Sequence, residues 1–146
     1  MPDTNDINPD IDVVARTLFG EARGESLKGQ QAVAWSIRNR TQARTPKGKA
    51  MWWGDTYPGV CQKKYQFSCW LPSDPNYPYL AGEKQIPPAT YKALCAVARQ
   101  VLRGEVADPT GGATHYYATS IKPPAWTVGA KFTVQIGGHR FFRDVP

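Results

Sequence analysis

The sequence predicts an α+β fold, mainly α, with a loop-rich middle and a small C-terminal β-hairpin. Three observations carry that expectation. Apolar residues recur three and four apart in segments around residues 11–19, 32–37 and 91–102, the period of an amphipathic helix. A stretch rich in proline and aromatic residues separates the second segment from the third. The last 40 residues hold short β-like runs broken by glycine. With 146 residues, 41% of them apolar, the chain has the size of one domain spanning residues 1–146. A domain of this size buries roughly two-thirds of the surface its unfolded chain exposes.

Taken in order, residues 1–10 read as a flexible acidic arm. Asp10 then caps a helix through Ile11, Val14, Ala15, Leu18 and Phe19. Gly20 and Gly24 loosen the backbone, so this helix ends between them. Ser26 caps a second helix, with Ala32, Val33, Ser36 and Ile37 inward, that closes near Arg40. From Thr41 to Pro88 there are seven prolines and many aromatics, Trp52, Trp53, Tyr65, Phe67 and Trp70 among them. Such a stretch is neither a long helix nor a central strand, yet it is too aromatic for a disordered linker. A third helix carries Tyr91, Leu94, Cys95, Ala98, Val101 and Leu102 on one face and stops at Gly104. Thr114–Ala118, Phe132–Ile136 and His139–Phe142 read as β, with Gly137-Gly138 as the hairpin turn.

Charge and cysteine usage narrow the function. The net charge is +6, but four acids lie in the first 12 residues; residues 13–146 hold 18 bases and 8 acids, a net +10. Such a body is drawn to polyanions: nucleic acid, anionic lipid or acidic cell-wall polymer. No run of about 20 apolar residues exists to span a membrane. The polar, acidic start lacks the form of a signal peptide. Cys61, Cys69 and Cys95 are an odd number without Cys-x-x-Cys spacing, and His115 and His139 are too far apart for a helical metal motif. Buried thiols are the plain reading, one bridge in an oxidising compartment the other. No metal or cofactor is expected.

The most unusual segment is Gly20-Glu21-Ala22-Arg23-Gly24-Glu25. Two carboxylates stand four apart at the end of an apolar helix. If the turn persists they share a face; if it breaks at Gly24, Glu25 moves to the start of the second helix. At a helix C-terminus the macrodipole and partial burial both raise the Glu21 pKa. A second carboxylate adds to this, and Arg23 opposes it. A glutamic acid protonated near neutral pH suits general-acid cleavage of a glycosidic bond. The plain alternative is a surface turn in which Glu21 and Glu25 pair with Arg16, Arg23 or Lys28.

That motif is followed by Gly29-Gln30-Gln31-Ala32-Val33-Ala34, Asn39-Arg40 and Gln66-Phe67-Ser68-Cys69. Asp108-Pro109-Thr110, Gly112-Ala113, His115-Tyr116-Tyr117, Trp126 and Ile136-Gly137-x-His139-x-Phe141 complete the series. In this order the chain resembles the SleB-like cell-wall hydrolases, a family of spore-cortex-lytic enzymes and some phage endolysins. The resemblance implies a lysozyme-like fold, related to lytic transglycosylases and goose lysozyme, acting on peptidoglycan glycan strands. It carries the catalytic role to Glu21. Glu25 is left to cap the second helix, to orient Glu21 or to take part in catalysis. The resemblance also implies a phage endolysin more than a spore enzyme, since no secretion signal or separate wall-binding domain is read here. Such an enzyme is made in the host cytoplasm and acts on the wall after release.

In this reading Glu21 protonates the oxygen between N-acetylmuramic acid and N-acetylglucosamine. A lysozyme-type hydrolase needs a second carboxylate or a positioned water. A lytic transglycosylase manages with one, and one strongly marked carboxylate favours transglycosylation. Asp108 before Pro109 reads as a turn residue. Gln66, Ser68, Tyr116 and Trp126 are the substrate-binding candidates, because sugar C–H faces stack on aromatics and acetamido groups pair with amides. Tyr116 and Trp126 equally suit core packing. His115 and Tyr117 are candidates for orienting support, with a structural histidine the alternative for His115. Phe67 and Phe141 belong to the core. The expected partners are peptidoglycan strands and the anionic envelope, approached by a monomer; nucleic acid is not expected. The competing class is a non-catalytic basic module for nucleic acid or cell wall, but the bases are spread along the chain instead of gathered in one stripe.

Overall fold

The computed structural model describes residues 7–146. Helix α1 spans Pro9–Ala22, and its N-cap is Asn8 in place of the expected Asp10: the Asn8 side chain accepts the Ile11 N–H at 2.9 Å. Pro9 sits in the first turn, where its missing N–H costs nothing. The arm expected over residues 1–10 is therefore cut short by the helix, and residues 1–6 lie outside those described. The helix ends between Gly20 and Gly24, as the sequence leads one to expect.

Helix α2, Leu27–Gln42, is capped by Ser26, whose hydroxyl accepts the Gly29 N–H at 3.2 Å. The loop-rich middle holds two short helices, α3 (Tyr57–Gln62) and α4 (Tyr77–Leu80), and a 3₁₀ turn at Ser68–Trp70. Helix α5 spans Pro88–Leu102 and closes with Gly104 at φ +68°, its N–H donating to the Val101 carbonyl at 3.0 Å.

The core lies where α1 packs on α2 and α5. Val14, Ala15, Leu18, Val33, Ala34, Ile37, Ala98 and Val101 are fully buried there, and each large apolar side chain so buried stabilises by about 1.5–3 kcal/mol. The middle segment closes over α1 with Val60, Cys61, Phe67 and Cys69, all buried. Cys61, Cys69 and Cys95 are all buried free thiols, the plainer of the two cysteine readings.

All three β-like runs are strands, and the first, read as β but given no partner by the sequence, joins the expected hairpin. Strands β1 (His115–Ala118), β2 (Lys131–Ile136) and β3 (His139–Arg143) form an antiparallel sheet ordered β1-β3-β2. Register pairs Tyr116 with Phe141 and His115 with Phe142. Side chains alternate across a strand, so Tyr116, Phe141 and His139 share one face, and their rings lie in mutual contact. His115, Tyr117 and Phe142 occupy the other. Helix α2 touches β1 and β2, which brings the sheet to the end of α1. Among the described residues no helix is long and apolar enough to cross a membrane.

Candidate active site

Glu21 stands on the last turn of α1, half-buried. Burial, reinforced by the Asp74 carboxylate, raises its pKa to about 7. Two groups pull the other way, the Tyr116 hydroxyl and the Arg40 guanidinium. The Tyr116 hydroxyl is buried beside Glu21. Burial and the neighbouring Glu21 hold the Tyr116 phenol protonated, well above its usual range. The site thus joins one carboxyl that is readily protonated to a phenol donor and a cation. That set both gives a proton and stabilises the anion left behind.

The perturbing groups differ from those expected. The second carboxylate is Asp74, not Glu25, and the opposing cation is Arg40, not Arg23. The helix breaks after Ala22, so Glu25 points away; its carboxylate accepts the Gly138 N–H at 3.0 Å and lies 3.7 Å from His139 Nδ1. Ser26 caps α2, so Glu25 does not. Arg23 donates to the Phe19 carbonyl at 2.8 Å and to Asn76 Oδ1 at 2.9 Å. Asn76 N–H in turn donates to Asp74 Oδ1 at 2.8 Å. Arg23 therefore ties the Asp74 loop to the end of α1 and does not neutralise Glu21.

Arg40 is the residue that sequence reasoning passed over. It is buried near the end of α2, with its guanidinium over the Phe67 ring at 5.0 Å. Its Nε donates to the Thr114 carbonyl and its Nη1 to Gln66 Oε1 at 3.0 Å. Trp53 Nε1 donates to the Arg40 carbonyl at 3.0 Å. Burial lowers the Arg40 pKa to about 10, countered by Tyr116, Cys61 and Glu21, so it remains a cation at neutral pH. One side chain thereby fixes Gln66 and the start of β1 around Glu21.

The other candidates divide by sheet face. Gln66 and Tyr116 come to the Glu21 side, with the Tyr116 ring 6.4 Å from Phe67. Ser68 is exposed at the start of the 3₁₀ turn whose Cys69 abuts Gly20. His115, Tyr117 and Trp126 pack together on the opposite face, Trp126 lying 5.2 Å from His115, 6.1 Å from Tyr117 and 5.4 Å from Phe142. Burial and Arg40 lower the His115 pKa to about 3, and its Nδ1 pairs with Thr114 Oγ1 at 2.8 Å. His115 is thus a neutral imidazole packed against the half-exposed Trp126. Asp108 is the turn residue expected: its carboxylate accepts the Thr110 N–H at 2.8 Å, the Thr110 hydroxyl at 2.7 Å and the Gly112 N–H at 3.1 Å. Phe67 and Phe141 are core. Among the described residues no group of three or more His, Cys, Asp or Glu side chains is disposed to hold a metal ion.

Similarity to known proteins bears on the family and the fold. The spore cortex-lytic enzyme of Halalkalibacterium halodurans is 29% identical over 132 residues, which are 90% of this chain and 34% of that protein. The chain thus spans about a third of the length of that relative. The catalytic domain of the germination-specific lytic transglycosylase SleB from Bacillus anthracis superposes with a TM-score of 0.67 at 26% identity, covering 95% of this chain and 98% of that one. The catalytic domain of the Bacillus cereus SleB protein gives 0.65 at 26% identity over 97% and 98%. This likeness places the helices and small sheet in the lysozyme-like fold of those domains. The family model described as Cell Wall Hydrolase matches residues 24–142, beginning three positions after Glu21. That match spans most of the sequence, and the chain belongs to the Cell Wall Hydrolase family.

Proposed function

We propose that the chain cleaves peptidoglycan between N-acetylmuramic acid and N-acetylglucosamine as a lytic transglycosylase, with Glu21 as its acid and base. The observation that carries this reading is the placing of one half-buried carboxyl beside the Tyr116 hydroxyl and the Arg40 guanidinium. Glu21 gives its proton to the glycosidic oxygen as the bond to the muramic anomeric carbon breaks. The carboxylate so formed is supported by Tyr116 and Arg40. It then takes the proton of the same sugar's C6 hydroxyl, whose oxygen bonds to the anomeric carbon and closes a 1,6-anhydro ring. No water is consumed, and Glu21 ends protonated. Gln66, held through its oxygen by Arg40, offers its amide N–H groups to a substrate acetamido carbonyl.

Asp74 favours a second reading. A carboxylate that influences Glu21 is the further acid that a hydrolytic muramidase uses. Product mass decides between the two. Digestion of purified sacculi should release fragments one water lighter than reducing-end muropeptides. Reducing ends in their place would overturn the transglycosylase reading and favour hydrolysis. Absence of any fragments, with salt-sensitive binding to DNA, would favour the non-catalytic module.

We infer further that the enzyme works as an endolysin. The net +10 of residues 13–146 favours approach to an anionic envelope. Expression inside a bacterium should lyse the cells only once the inner membrane is permeabilised; intact cells after permeabilisation would contradict this role.

A further inference from the structure

The turn before Gln66 is built against the preference of its own backbone. Gln66 N–H donates to the Lys63 carbonyl at 3.0 Å, which puts Tyr65 at the third position of a four-residue turn. Its φ is +67°, a conformation for which such turns use glycine, because a Cβ crowds the backbone there. Tyr65 is 72% exposed, so packing returns little for this strain. Strain that packing does not offset gathers where a chain contacts a ligand.

Position says which ligand. The next residue, Gln66, is bonded to Arg40, and Phe67 beyond it lies against Tyr116. Tyr65 thus stands one residue outside the groups around Glu21. The Lys64 ammonium lies 5.0 Å from the centre of the Tyr65 ring and Lys63 is exposed beside it. The turn combines an open aromatic face with two cations. Sugar C–H faces stack on aromatic rings, and muramic acid carries a lactyl group extended by an acidic peptide.

We propose that the Lys63–Gln66 turn is a substrate subsite. The Tyr65 ring stacks on a sugar next to the scissile bond, and Lys63 and Lys64 meet the carboxylates of the attached peptide. This assignment rests on the peptidoglycan reading above.

The test compares Tyr65→Gly and Tyr65→Trp with the parent, each also carrying Glu21→Gln for binding to purified sacculi. Tyr65→Gly relieves the backbone, so its Tm should equal or exceed that of the parent, while its binding weakens about five- to tenfold. Tyr65→Trp should bind as the parent does. With Glu21 present, the loss in Tyr65→Gly should fall on KM more than on kcat. A Tyr65→Gly protein that is stable and binds as before overturns the subsite, as does a Trp variant no better than Gly. A large fall in Tm for Tyr65→Gly would instead assign the ring to packing and also overturn it. Release of muropeptides by the parent separates the two levels. If the parent releases none, the peptidoglycan reading itself fails; if it does and Tyr65→Gly is unchanged, only the subsite falls.

Discussion

Glu25 Oε1 accepts the backbone N–H of Gly138 at 3.0 Å, joining the α1–α2 connection to the β2–β3 turn 113 positions later. The fit leaves no space, since a Cβ on Gly137 would stand 2.5 Å from the same oxygen. Gly137 also takes φ +55°, so glycine is required there twice over. His139, one residue on, lies 4.8 Å ring to ring from Tyr116. The second glutamate of the motif is thus a staple that holds the sheet where Tyr116 meets Glu21.

Glu25→Gln keeps an acceptor oxygen for Gly138 and should keep most of the cleavage activity. Glu25→Ala leaves that N–H unpaired and should lose about 1–3 kcal/mol of stability, read by urea unfolding.

Gly20→Ala should destabilise even though alanine is the better helix former by about 1 kcal/mol. A Cβ there would stand 2.4 Å from Cys69 Cβ and 2.8 Å from its sulfur. Pushing the 3₁₀ turn away costs about 1–3 kcal/mol and moves the chain that carries Gln66. The expected result is a lower Tm with a larger loss of cleavage than stability alone explains.

The raised Glu21 pKa has a stability consequence of definite sign. Between the unfolded value of 4.5 and the folded value of about 7, the folded protein holds the extra proton, so this group's contribution falls as pH rises. Glu21→Gln removes the effect. The variant should match the parent below pH ~4.5 and exceed it above pH ~7, by at most about 3 kcal/mol. Paired denaturation curves across that range check it. A difference independent of pH would place Glu21 in water.

Asp74→Asn should move the alkaline limb of the kcat/KM profile to lower pH, because the Asp74 charge helps keep Glu21 protonated. Asparagine still offers an oxygen to the Asn76 N–H, so the loop survives. An unshifted limb would remove Asp74 from the site's electrostatics.

Local signals made much of the fold legible. Ser26 announces α2 through one hydroxyl, Gly137-Gly138 announces a hairpin, and Asp108 a turn, because each acts on backbone within four residues. The groups around Glu21 are long-range and could not be read so. Arg40 looks like an ordinary base at a helix end until the 66–67 segment and the sheet close over it, 26 and 74 positions away. Asp74 sits in a proline-rich loop with no periodicity to place it. The faces of β1 were ambiguous for the same reason: His115, Tyr116 and Tyr117 are all aromatic, and only the pairing of Tyr116 with Phe141 tells which turns toward Glu21. The run at Thr114–Ala118 was legible as β from its residues, but its place beside β3 was not, because β1 pairs across a long connection.

The central claim is that Glu21 delivers the proton. The most direct measurement is muropeptide release from sacculi by the parent, Glu21→Gln and Glu25→Gln, with equal circular dichroism spectra as the control for folding. Glu21→Gln should slow release by roughly 10²–10⁴-fold while Glu25→Gln stays within a few-fold of the parent. Full activity in Glu21→Gln, or loss confined to Glu25→Gln, would contradict it.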